Sequence, residues 1–108
     1  MNKYEAVLLI SPELSTNSIK NEIDKFKELI ANNNGKIINE ESWGLRDLSF
    51  NINSFKKSFY NFFQIEINSS AIKELKKNLT QSENVIRHLF IKVAVHQSLP
   101  TKIKDEKK

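Results

Sequence analysis

The chain contains no cysteine. That excludes disulfide staples, thiolate nucleophiles and cysteine-ligated zinc together. Glycine occurs only at Gly35 and Gly44, so no glycine-rich loop is available to cradle a phosphate. The two histidines, His88 and His96, fall eight residues apart on or just beyond one apolar segment. At about 3.3 Å per residue in a strand their separation is roughly 26 Å, too far to share one ion. Glu40 and Glu41 point to opposite faces if they lie in a strand, and Asp105 and Glu106 sit in a charged tail, so neither pair forms an acid–base dyad. No serine motif has a base beside it. These absences predict a protein without cofactor, metal site or catalytic turnover. No apolar run approaches the roughly 20 residues a membrane-crossing helix needs. Met1 runs directly into Lys3 and Tyr4 with no apolar signal region, which predicts a cytoplasmic chain with no membrane partner.

What is present fits one domain of 108 residues, with 39% hydrophobic and 28% charged residues, the balance of a packed globular protein. The net charge of +4 leans toward a polyanionic partner. Lysine supplies most of it, and the only guanidinium groups are Arg46 and Arg87.

Residues 4 to 10 form a short apolar run stopped by Ser11 and Pro12, which predicts a buried strand. From Ser15 onward Ile19, Ile23, Phe26 and Ile30 recur at helical spacing, and the helix closes in the Asn32–Gly35 stretch. Residues 36 to 52 read as a second strand bent at Trp43 and Gly44, beyond which Leu48, Phe50 and Ile52 mark a buried face. A hairpin connection over 53 to 57 leads to a third strand, Phe59 to Ile67. Ser69 and Ser70 are the expected N-cap of a second helix carrying Ile72, Leu75 and Leu79, and a fourth strand spans Val85 to Val95. The order β-α-β-β-α-β with right-handed crossovers predicts an α+β, ferredoxin-like fold, a four-stranded antiparallel sheet with two helices on one face. Residues 1–96 make this domain, and 97–108 are expected to be a flexible charged C-terminal tail.

Several blocks resemble the bacterial ribosomal small-subunit protein six family over nearly the whole chain. The opening Tyr4-Glu5, apolar strand and Pro12 are similar to its start. Trp43-Gly44-Leu45-Arg46, leading into Leu48-Ser49-Phe50-Asn51-Ile52, resembles the family's Trp-Gly-x-Arg-x-Leu-Ala-Tyr-Pro-Ile block. Tyr60 and Val85-Ile86-Arg87 fit as well, whereas Asp47, Ser49, Phe50 and Asn51 depart from the pattern. The resemblance implies a structural ribosomal protein that pairs with small-subunit protein eighteen on the central domain of small-subunit ribosomal RNA. The isolated chain is expected to be a monomer.

Arg46 and Arg87 are the candidates for bidentate phosphate contacts that lysine cannot reproduce. Lys3, Lys56, Lys57, His88 and Lys92 complete the candidate RNA-binding set. Strand alternation assigns Ala6, Leu8, Ile10, Phe63, Ile65 and Ile67 to the helix-covered face. It leaves Val7, Leu9, Tyr60 and Phe62 on the open face, beside Lys3, Glu5, Gln64, Glu66 and Lys92, as an apolar surface for a protein partner. Two other readings share the fold. An RNA-recognition motif would stack bases on third-strand aromatics, but Lys57-Ser58-Phe59-Tyr60-Asn61-Phe62-Phe63 matches that motif only in its first lysine and first aromatic. A regulatory or interaction domain would instead hold a protein or small ligand on the open sheet face.

Overall fold

Each half of the chain begins with a strand too apolar to face water on both sides, and each helix carries one apolar stripe to cover it. The computed structural model, which describes residues 1–52 and 54–96, arranges them as β1 (Asn2–Ile10), α1 (Thr16–Asn32), β2 (Lys36–Ile52), β3 (Phe55–Ile67), α2 (Ser69–Gln81) and β4 (Val85–Val93). The strands form one sheet in the order β2-β3-β1-β4, with every neighbouring pair antiparallel. The expected ferredoxin-like fold is thus the one observed. The tail expected from residue 97 onward lies outside the described residues.

One core lies between the helices and the sheet. Phe26 and Ile30 of α1 and Ile72, Leu75 and Leu79 of α2 meet Tyr4, Ala6, Leu8, Ile10, Phe63, Ile65 and Ile67. Burying each large apolar side chain contributes roughly 1.5–3 kcal/mol. Phe26 anchors the layer, its ring tilted against Phe63 at 4.9 Å and Phe90 at 6.3 Å between centroids.

Local chemistry sets the ends of the helices. Ser15 caps α1 by accepting a hydrogen bond from the Ser18 amide at 3.2 Å. The helix closes through Asn34, the residue that takes the left-handed conformation (φ 63°), and not through Gly35. Gly35 is small for another reason: a Cβ there would stand 2.8 Å from Ile30 Cγ2 and 3.0 Å from Ile67 Cδ1. The second helix starts one residue earlier than expected. Its N-cap is Asn68, whose carbonyl accepts from the Ala71 amide, and Ser69 is already helical.

The long β2–β3 hairpin overhangs the sheet. β1 pairs with β3 only from Ile10–Phe59 to Asn2–Ile67, whereas β2 follows β3 out to Ile52–Phe55. Lys56 and Lys57, expected in a loop, therefore lie in β3, and the reversal of the chain falls at Ser54 (φ 71°). Leu48 and Ile52 are half-buried and not the buried face expected of them, because β1 pairs with β3 no further than Phe59. The fourth strand stops at Val93, short of the expected Val95.

Candidate nucleic-acid interface

Residues directly opposite each other in an antiparallel pair share a face, so the register sorts every candidate. Lys3, Glu5, Val7 and Leu9 stand opposite Val93, Ile91, Leu89 and Arg87 on one side and Glu66, Gln64, Phe62 and Tyr60 on the other. That whole row faces away from the helices. Lys92 and His88, opposite Tyr4 and Leu8, belong to the helix-facing row at the β4 edge. Lys92, expected on the open face, is therefore on the other side of the sheet, because it stands opposite the core residue Tyr4.

The bend at Trp43 and Gly44 builds the aromatic part of the open face. The register shifts between Ser42 and Gly44, and Gly44 takes φ 75°, a left-handed conformation natural to glycine. The extra residue turns Trp43 onto the face away from the helices, where it stacks on Phe62 (5.4 Å, 13°) and Tyr60 (6.1 Å, 22°). Glu41 accepts a hydrogen bond from Trp43 Nε1 at 2.9 Å. Arg46 donates through Nε to the Trp43 carbonyl at 3.2 Å, and its guanidinium carbon lies 5.6 Å from the centre of the indole ring. The arginine is thus positioned from two directions by Trp43.

This packing corrects the expected partner surface. Leu9 and Phe62 are only 5% and 2% exposed, because the open face carries its own aromatic layer. The accessible apolar surface lies one strand over, on β4, where Leu89 and Ile91 are 50% and 59% exposed beside half-buried Val7. Sequence alternation contained that row, but nothing in it distinguished the open face from the core until Phe90 was seen against Phe26. Beneath it a polar ladder crosses three strands: Asn39 donates to Gln64 Oε1 at 3.1 Å, and Gln64 donates to Glu5 Oε2 at 3.2 Å. His96, beyond the end of β4, returns to 3.7 Å from the Glu5 carboxylate.

The basic candidates do not form one cluster. Arg46 stands opposite Ser58 on β3 and Arg87 opposite Leu9 on β1, at opposite edges of the sheet and about 14 Å apart across its three strand spacings, with a further offset along the strands. Arg87 is exposed. Lys3 is engaged with Glu66 at 3.9 Å and Lys57 with Asp47 at 3.7 Å, while Lys56 stands exposed on the overhanging hairpin. His88 shares a 3.3 Å hydrogen bond with Thr80 of α2. Burial, and then the nearby Lys76 charge, hold its pKa below the ordinary value of 6.5.

No group of three or more His, Asp or Glu side chains among the described residues is placed to hold a metal. None of the described helices is long and apolar enough to cross a membrane. The overall arrangement is shared with a solved structure. The fold superimposes on the 30S ribosomal protein S6 of Thermotoga maritima with a TM-score of 0.82, covering 85% of this chain and 87% of that one at 22% identity. The small ribosomal subunit protein bS6 of Rickettsia prowazekii is 41% identical over 103 residues, 95% of this chain and 85% of the relative. Its counterpart in Azobacteroides pseudotrichonymphae is 38% identical over 89 residues, 82% of this chain and 80% of the relative. The family model described as ribosomal protein S6 matches residues 3–92, from Lys3 at the head of β1 to Lys92 near the end of β4. The match therefore takes in all four strands but for one residue at the start of β1 and one at the end of β4, together with both helices, and the chain belongs to the ribosomal protein S6 family of the small ribosomal subunit.

Proposed function

We propose that this chain is a structural, non-catalytic component that binds the central domain of small-subunit ribosomal RNA together with small-subunit protein eighteen. The pairing is what the family resemblance implies. The observation that supports it here is the make-up of β4, where Arg87, Leu89 and Ile91 alternate onto one uncovered face. A guanidinium suited to phosphate stands next to exposed apolar surface suited to protein. One macromolecule uses the charge and another the apolar row. The isolated chain, with a net charge of only +4, then binds RNA weakly, and its affinity falls as salt rises.

If the two partners share the chain in this way, each strengthens the other's binding by the same factor, commonly equivalent to about 1–3 kcal/mol. The test is a titration of the RNA fragment with this chain, with protein eighteen, and with both at fixed salt, repeated with a Leu89→Ser/Ile91→Ser variant. Cooperative binding that disappears in the double variant supports the reading. RNA affinity that does not change when protein eighteen is added overturns it.

A further inference from the structure

We propose that the ridge formed by α2 and the β4 edge is a separate RNA-binding surface. It takes the sugar-phosphate backbone of double-helical RNA on the ammonium groups of Lys73, Lys76, Lys77 and Lys92. The inference rests on the reading that the chain binds ribosomal RNA, and adds to it a surface distinct from the open sheet face.

Helical geometry makes the first part of the argument. Lys73, Lys76, Lys77 and Thr80 fall at i, i+3, i+4 and i+7, so they form one stripe beside the buried stripe of Ile72, Leu75 and Leu79. The side of α2 that this stripe occupies is fixed by two neighbours. Thr80 meets His88 of β4 at 3.3 Å, so the stripe borders the β4 edge. Asn78, on the other flank of the helix, lines the groove shared with Glu22, Lys25 and Leu29 of α1. Glu74, the only acidic residue of α2, lies on that same flank and accepts a hydrogen bond from Asn78 at 3.0 Å. Glu74 stands three residues before Lys77 and so borders the stripe, but its carboxylate is engaged by Asn78 and forms no ion pair with a lysine among the described residues. Lys92 continues the ridge from the helix-facing row of β4. Of the remaining neighbours, Glu83 in the turn between α2 and β4 borders the lower end of the ridge beside His88.

The second part is the state of these charges. Lys3, Lys25, Lys27 and Lys57 each form an ion pair with a carboxylate. Lys73, Lys76, Lys77 and Lys92 are all exposed, and none pairs with a carboxylate among the described residues. A row of uncompensated cations over one turn of helix, about 6 Å along the axis, suits a regularly charged polymer. Among the described residues the ridge has no exposed Phe, Tyr or Trp ring for stacking bases, and Arg87, which borders its lower end, belongs to the open-face row opposite Leu9. Its chemistry therefore fits the backbone of a duplex, whose bases are already paired.

The test uses the full chain and small-subunit ribosomal RNA, with affinity followed over a range of salt. Lys73→Gln/Lys76→Gln/Lys77→Gln is compared with Lys20→Gln/Lys25→Gln/Lys27→Gln on α1, which removes the same charge elsewhere. Matching urea midpoints show that both variants fold. The α2 variant is expected to flatten the slope of log affinity against log salt by about 2.7, at 0.9 per phosphate released, while the α1 variant leaves it nearly unchanged. Equal slopes for the two variants, or an α2 slope like that of the parent, overturn the inference. So does a loss confined to single-stranded RNA, or a loss of binding to polyglutamate with RNA binding intact, which would assign the ridge to an acidic protein. A parent chain that fails to bind the RNA at all would instead sink the underlying reading.

Discussion

Trp43 lies almost parallel to Phe62, their ring centroids 5.4 Å apart and their planes within 13°. The chain has one tryptophan, so its fluorescence reports this face alone. A partner that covers the β1–β4 side of the open face is expected to blue-shift or quench that emission, and Leu89→Ser/Ile91→Ser to abolish the change. An emission spectrum indifferent to saturating partner would place the partner elsewhere. Trp43→Ala removes a 7%-exposed ring stacked on two others, and is expected to cost about 3 kcal/mol in urea unfolding followed by circular dichroism.

The two arginines are expected to separate. Arg87 is exposed, so Arg87→Ala should alter stability by no more than about 0.5 kcal/mol while lowering occupancy in assembled small subunits. Arg46→Ala also loses a hydrogen bond to the Trp43 carbonyl and the contact with its ring, and should cost about 1–2 kcal/mol more than Arg87→Ala. Denaturation midpoints set beside particle occupancy decide both.

The glycines give a paired comparison. Gly35→Ala forces a Cβ against Ile30 and Ile67, and should destabilise by about 1–3 kcal/mol through overpacking. Gly44→Ala meets nothing within 4 Å, so its cost is the left-handed backbone alone, about 1–2 kcal/mol. Adding Ile67→Val, which deletes the Cδ1 that the new Cβ would meet at 3.0 Å, should recover part of the loss at position 35 and none at position 44.

Much of this was legible in the chain itself. Period-two and helical spacing located all six elements, and the Trp43–Gly44 pair announced the bend. What the bend does was not legible, because turning Trp43 onto Phe62 depends on a register set by β3, a strand that follows later in the sequence. The charged candidates were similarly underdetermined. Lys3 and Lys57 read as free cations until Glu66 and Asp47 came to lie across from them. The spacing of the α2 lysines was visible, but which neighbour they border depends on how α2 lies over β4.

Glu22 illustrates a site that local sequence conceals. Its carboxylate is 7% exposed and accepts from Asn84 Nδ2 at 2.8 Å and Ser82 Oγ at 3.3 Å, fastening α1 to the turn before β4. Glu22→Leu is expected to leave both donors unpaired and cost about 1–3 kcal/mol, whereas Glu22→Gln should retain most of the stability. Hydrogen exchange at Asn84 and Val85 would show the loosened turn directly.

His88 supplies a pH signature. Its pKa is lowered in the folded chain by burial and Lys76, with Glu83 and Arg87 bordering the same hollow, so the unfolded chain takes up the proton first as pH falls. The stability this residue secures is complete above about pH 6.5 and declines as pH drops below it. An NMR titration is expected to give a midpoint under 6.5, and His88→Gln to flatten the pH–stability curve in that window. A midpoint above 6.5 would contradict the assignment.

The place of β1 between β3 and β4 also governs the order of events during synthesis. Leu8 is made long before His88, its neighbour on β4. At about 5–20 residues per second, several seconds pass between them. Once β3 has been made the β2–β3 hairpin can close and β1 can pair with it, but the other side of β1 still presents unpaired amides and carbonyls. Until β4 emerges to claim it, that bare edge is a template open to pairing with another chain.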